Sequence, residues 1–142
     1  MSLTQDISVV TYDTARRLLE EVMAHAESNA WRVAVVVLDP WGTVVASGRM
    51  NGVSPAILDI ASDKAYTATM GKSTKAFYER MSSAPDLAMG LQNRGRFCAW
   101  EGGVPIRDGD NLVGALGVSG AAGHEDAACA VAALSALGLS QN

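Results

Sequence analysis

The stretch Glu101-Gly102-Gly103-Val104-Pro105-Ile106-Arg107, then Asp108-Gly109-Asp110-Asn111, then Leu112-Val113-Gly114-Ala115-Leu116-Gly117-Val118-Ser119-Gly120, decides the fold. A cluster of turn residues between two apolar runs marks a β-hairpin. Val104–Arg107 reads as its first strand. Leu112–Ser119 is the return strand; it is apolar at odd and even positions alike, so both its faces are covered and it belongs inside a sheet. Gly114 and Gly117 stand where a side chain would block a close neighbour. The chain then runs through Gly120 and Gly123 into a helix that begins near Glu125.

That last helix, Asp126–Leu137, is apolar nearly all the way round, which predicts burial on most sides and packing against a second subunit. Upstream of the hairpin, Phe97–Trp100 reads as a short strand and Asn93–Arg96 as a polar loop. Further back, Val33–Leu38 is an unbroken apolar run, Asp39-Pro40-Trp41-Gly42 a turn, and Thr43–Gly48 the second strand of another hairpin. Ala15, Leu18, Leu19, Val22, Met23 and Ala26 recur at helical spacing, with Thr11 as cap, and predict an amphipathic helix over Tyr12–Asn29 behind an extended arm of residues 1–10. Ser54-Pro55 opens a helix to about Met70, its inner face Ile57, Ile60, Ala61, Ala65 and Ala68. Ser73 caps a shorter helix to Met81, and Ser83 to Asp86 has capping-box spacing ahead of one or two turns over Ala84–Leu91. The order α-β-β-α-α-β-β-β-α predicts an α+β domain, one unit over residues 1–142, with a largely antiparallel sheet of five strands flanked by helices.

Composition narrows the function classes. Charged residues are 18% of the 142, and apolar ones 49%. A surface so poor in charge points to a homo-oligomer. The net charge of −4, with no basic run, argues against nucleic acid and anionic membranes as partners. No apolar run reaches the roughly 18 residues of a membrane span. Cys98 and Cys129 follow no metal pattern and predict buried thiols in a reducing compartment. With no leader-like start, a cytoplasmic chain is the expectation.

Three constellations can carry chemistry. Gly117–Gly123 ahead of a helix is either an anion site, with Ser119 and Gly120 contributing, or a tight strand-to-helix turn. His124-Glu125-Asp126 is either a first turn with carboxylates placed for the helix dipole, or a proton-carrying or metal-ligating site at His124. His25 reads as a surface residue, and two histidines so placed make no metal set. Arg49 ends a strand, and Lys64 sits on a helix of small residues, either snorkelling or held for an anionic ligand. Glu101, before Gly102-Gly103, is the carboxylate best placed to face a pocket. Trp31, Trp41 and Trp100 lie at strand edges, where capping the core is their expected role.

Val37-Leu38-Asp39 with Gly42, Arg49-Met50-Asn51-Gly52, Lys64-Ala65 with Thr67-Ala68, Thr74, Gly102-Gly103-Val104-Pro105-Ile106, Gly114, Gly117-Val118-Ser119-Gly120 and Glu125-Asp126, in that order, resemble the GlcG/HbpS-like family. This family is also called the haem-degrading domain family and includes the C-terminal domain of PduO-type corrinoid proteins. The resemblance covers nearly the whole chain. It implies a profilin-like fold, with a five-stranded antiparallel sheet between helices, assembling as dimers or higher oligomers. Asn51 stands where the family usually has Asp, and His124 where it has Gln or Glu.

The activities implied differ. As a binding module the chain would take haem or a related tetrapyrrole, with Arg49 and Lys64 on the propionates, His124 as the axial ligand, and Thr67, Gly102, Gly103, Ser119 and Gly120 lining the site. As an enzyme it would resemble a lyase acting on an aromatic hydroxylamine of the 4-hydroxylaminobenzoate type. Glu101, His124 and Glu125 would then move protons while Arg49 or Lys64 holds the carboxylate. As an accessory oligomer it would need no site at all.

Overall fold

A computed structural model describes residues 1–142. The elements are α1 (Tyr12–Ser28), β1 (Ala34–Leu38), β2 (Val44–Arg49), α2 (Pro55–Ala68), α3 (Thr74–Met81), α4 (Pro85–Leu91), β3 (Gly103–Asp108), β4 (Asn111–Ser119) and α5 (Gly123–Ala136). The sheet has four antiparallel strands in the order β2-β1-β4-β3, which puts β4 inside, as its two apolar faces require. Asp108 pairs with Asn111, so the β3–β4 turn is a two-residue loop with Gly109 in the left-handed region at its first position. Pro105 sits on the edge strand β3, where its missing N–H breaks no inner ladder.

Phe97–Trp100 is not the fifth strand. The Cys98 N–H donates to the Thr67 hydroxyl at 2.8 Å instead of to a neighbouring strand, and the Phe97 ring packs against Tyr66 and Phe77. The Ser83 capping box is also absent. The Ser83 hydroxyl donates to the Arg80 carbonyl at 2.6 Å, closing α3, and α4 starts at Pro85 with no side-chain cap. The caps at Thr11, Ser54 and Ser73 do form, each hydroxyl accepting a first-turn N–H at 3.1–3.2 Å. The arm before Val10 has no regular structure, and the Val10 N–H bonds the Val113 carbonyl at 2.9 Å.

Helices cover both sides of the sheet. Against α1 and α5 lie Val33, Val35, Val37, Val104, Ile106, Leu116 and Val118, with Leu18, Val22, Cys129 and Leu134 opposite. Against α2 lie Ala34, Val36, Leu38 and Ala115, with Ala61, Ala65 and Ala68 opposite. Gly117 explains how closely α2 approaches: a Cβ there would collide with the Ala61 carbonyl oxygen and come within 2.7 Å of the Ala65 nitrogen. α5 does carry an outer face, with Ala128 and Val131 exposed while Asp126, Cys129, Ala130, Ala133 and Leu134 are buried. No helix is long and apolar enough to cross a membrane.

Candidate functional site

The α2 side of the sheet ends in polar residues, and the site is built there. Lys64, on α2, does not snorkel. Its ammonium donates to Asp126 Oδ2 and to the Val118 carbonyl, both at 3.0 Å, with side-chain exposures of 3% for Lys64 and 2% for Asp126. The other oxygen, Asp126 Oδ1, accepts the Ala121 N–H at 2.9 Å. One ion pair thus ties α2, the end of β4 and the start of α5 together. Burial pushes the Asp126 carboxyl above the ordinary range, against the pull of the Lys64 charge and the Ala121 N–H. Gly102 completes the contact in the left-handed region, φ +127°, where a Cβ would strike the Val118 carbonyl and lie 2.9 Å from the Lys64 amine.

Two threonines hold the loop between α4 and β3. Thr67 donates to the Asp63 carbonyl and accepts the Cys98 N–H, both at 2.8 Å, and Thr74 accepts the Gly103 N–H at 3.0 Å. Between these two pins Trp100 is pushed outward, 65% exposed. It does not cap the core, and neither does Trp41 at 69%; Trp31 alone packs against it.

Two adjoining hollows share Trp100 and Gly123. The larger, about 460 Å³, is a cleft lined by Lys75, Tyr78 and Glu79 of α3, by Ala99, Trp100 and Glu101, and by Gly123. The three α3 residues fall at i, i+3 and i+4, so one helix face forms that wall. The smaller, about 260 Å³, lies behind Trp100 among Ile57, Ile60, Lys64, Ser119, Gly120, Ala121, Gly123 and Asp126.

The residues singled out from sequence fall into separate groups. Glu101 lines the cleft and abuts Gly123, where a Cβ would lie 3.2 Å from that of Glu101. Lys64, Ser119 and Gly120 line the hollow. Gly102, Gly103 and Thr67 shape the loop and line neither space. The Glu125 carboxylate accepts the Ala122 N–H at 3.0 Å as a helix cap. His124 is exposed and lines neither space. Arg49 sits at the same end of the sheet, one strand from Ala34 and two from Ser119, but its guanidinium donates to the Val53 carbonyl. No cluster of three or more histidine, cysteine or carboxylate side chains is placed to hold a metal.

Asp126 was read from sequence only as a dipole-compensating carboxylate. The stripe Asp126, Cys129, Ala130, Ala133, at i, i+3, i+4 and i+7, puts it on the inward face of α5, and a buried carboxylate needs a cation. Tyr78 and Lys75 gave no signal of their own.

Comparison with known proteins agrees with the fold. The family described as haem degrading protein HbpS-like matches residues 10–135. Protein GlcG of Escherichia coli K12 is 31% identical over 111 residues, covering 78% of this chain and 81% of GlcG. The crystal structure of Klebsiella pneumoniae protein ORFY, of family DUF336, superposes with a TM-score of 0.89 at 25% identity, covering 97% of each chain. A PduOC–haem complex superposes at 0.86 over 94% of this chain and 99% of that one; at 22% identity it supports the fold alone. The aromatic-hydroxylamine lyase reading finds no support among these relatives. The chain belongs to the HbpS-like family.

Proposed function

We propose that the protein binds a flat, largely apolar small molecule against Trp100, and that haem or a related tetrapyrrole is the ligand its family favours. The observation that carries this reading is the outward-facing indole, 65% exposed, on the wall of a cleft of about 460 Å³. An aromatic side chain on the wall of a concave site is the usual platform for a flat ligand.

The residues suit a tetrapyrrole in kind. Trp100 and Ala99 offer an apolar platform, and Lys75 a cation for a propionate. Tyr78 has a phenol of the type that ligates haem iron; His124, next to Gly123, is the nearest imidazole by sequence. Arg49 and Lys64 are engaged by Val53 and Asp126, so Lys75 is the better propionate partner. When bound, such a group supplies iron-centred redox and oxygen chemistry. The chain itself contributes binding, orientation and exclusion of water. The exposed Ala128 and Val131 of α5 are where a second copy would pack.

Titration of the purified protein with haemin tests this. A saturable, shifted Soret band is expected, altered in shape by Tyr78→Phe or His124→Ala, whichever removes the axial ligand, and weakened by Trp100→Ala. A spectrum identical to free haemin overturns the tetrapyrrole reading.

A second reading rests on the same cleft, which sets Glu101, Tyr78 and Lys75 around an aromatic platform. These are a proton carrier, a phenolic hydroxyl and a cation for the carboxylate, the set a lyase acting on an aromatic hydroxylamino acid needs. In that reaction the substrate takes up one water and releases ammonia. Of the three proton carriers considered, Glu101 alone lines the cleft. Ammonia release from 4-hydroxylaminobenzoate that Glu101→Gln abolishes would favour this reading; none from the unaltered protein would end it.

A further inference from the structure

We infer that the hollow behind Trp100 recognises a carboxylate, and that it takes the acid group of a small ligand whose flat body lies on the indole. The inference deepens the ligand-binding reading above and rests on it only for the flat body.

Three sets of hydrogen-bond donors converge there without acceptors. Ser119 is 5% exposed, ends β4 on the α2 side and lines the hollow, yet its hydroxyl makes no hydrogen bond within the protein. The residue is enclosed, but its hydroxyl oxygen is not sealed in the core, so it is open to the hollow. The second set opens α5, a helix of 14 residues. There the Ala121 and Ala122 N–H groups are spent on Asp126 and Glu125, while those of Gly123 and His124 have no protein acceptor. Of these two, Gly123 lines the hollow and His124 does not, so the Gly123 N–H is the helix-terminal donor that faces it. Lys64 is the third. An ammonium has three protons, and Lys64 uses two, on Val118 and Asp126.

The charge balance selects the ligand. Asp126 is neutralised by Lys64, and both its oxygens are already accepting. Glu101 lines the neighbouring cleft and not this space. The side-chain groups and helix N–H that remain there can all donate, and so complement oxygen acceptors. Ile57, Ile60 and Trp100 supply the apolar walls, and about 260 Å³ suits the carboxyl end of a monocyclic acid better than a whole large ligand.

The test uses benzoate as probe and benzamide, its neutral counterpart, as control. Each is titrated into the full chain and followed by amide NMR and calorimetry. Benzoate is expected to shift the Gly123 amide resonance and to bind at least about tenfold more tightly than benzamide, since a hydrogen bond to a charged acceptor is worth more than one to a neutral one. Ser119→Ala should weaken benzoate about tenfold with an unchanged melting temperature. Equal binding of the two probes, no shift at the Gly123 amide in the unaltered protein, or a folded Ser119→Ala variant binding as before would each overturn the inference. Haemin binding without a benzoate response would leave the tetrapyrrole reading intact and remove this one. The reverse result would remove the tetrapyrrole and keep the carboxylate site.

Discussion

Against α1 and α5 the sheet turns Val35, Val37, Ile106, Leu116 and Val118; against α2 it turns Ala34, Val36, Ala115 and Gly117. The first face is filled by bulky side chains meeting bulky side chains, and burial of each is worth roughly 1.5–3 kcal/mol. The second keeps Val36 and Leu38 but sets Ala34, Ala115 and Gly117 against Ala61, Ala65 and Ala68, so that backbone approaches backbone between small side chains. Small residues bury less area apiece, but they let α2 lie so close that a lysine on its next turn reaches the end of β4. The face with little bulk is therefore the one that can hold a buried ion pair, two threonine pins and an unpartnered serine at its rim.

Removing the ion pair is the strongest way to break this contrast. Lys64→Met leaves the Asp126 carboxylate buried without its cation and should cost about 3–5 kcal/mol at neutral pH in a urea titration. The double variant Lys64→Met/Asp126→Leu should recover much of that loss, because no charge is then stranded. The pH dependence follows from the raised Asp126 carboxyl. A folded state that holds its proton more tightly than the unfolded chain is stabilised below the ordinary Asp range and loses that stability as pH rises through the elevated value. The loss in Lys64→Met should accordingly be smallest in acid and grow towards neutrality. A single variant no less stable than the double one would show that the pair does not hold this face.

Much of the architecture was legible along the chain because it is local. The α1 stripe, the β3–β4 turn and the caps at Thr11, Ser54 and Ser73 are each set by residues within a few positions of one another. The site is not local: Lys64 and Asp126 are 62 residues apart, and Thr67 reaches Cys98 across 31. The same distance explains the missing fifth strand. Phe97-Cys98-Ala99-Trp100 has the composition of a strand, but its backbone is claimed by a threonine on α2 and its first aromatic ring by Tyr66 and Phe77. Glu101, Ser119 and Lys64 could be picked out from their neighbours. Their separation into a cleft and a hollow by Trp100 could not, because it depends on which way one loop is pulled.

A smaller effect sharpens the contrast at single glycines. Gly117→Ala puts a methyl group into the Ala61 carbonyl, and α2 must retreat. The expected loss is about 1–3 kcal/mol, the usual range for overpacking. Gly90→Ala is the control. It lies in α4, where nothing stands within 4 Å of an added Cβ, and should stabilise by about 0.5–1 kcal/mol through helix propensity. If both changes are neutral in thermal melts, the close approach of α2 is not what shapes that face.

The smallest effect probes how tightly the bulky face is closed. Cys129 is fully buried on the inner side of α5, and burial, with Asp126 and Glu125 nearby, pushes its thiol from 9.0 up to about 11. Cys98, half-buried within the Trp100 loop and pinned to Thr67, lies on the α2 side. Iodoacetamide on the folded protein should therefore modify Cys98 slowly and Cys129 only after denaturation. In alkali the unfolded chain loses the Cys129 proton first while the folded chain keeps it, so stability should fall as pH rises from about 9 to 11. Cys129→Ala should flatten that slope, at a modest loss of packing. Prompt labelling of Cys129 in the native protein would mean that α5 opens readily, and that the face built from large side chains is the looser of the two.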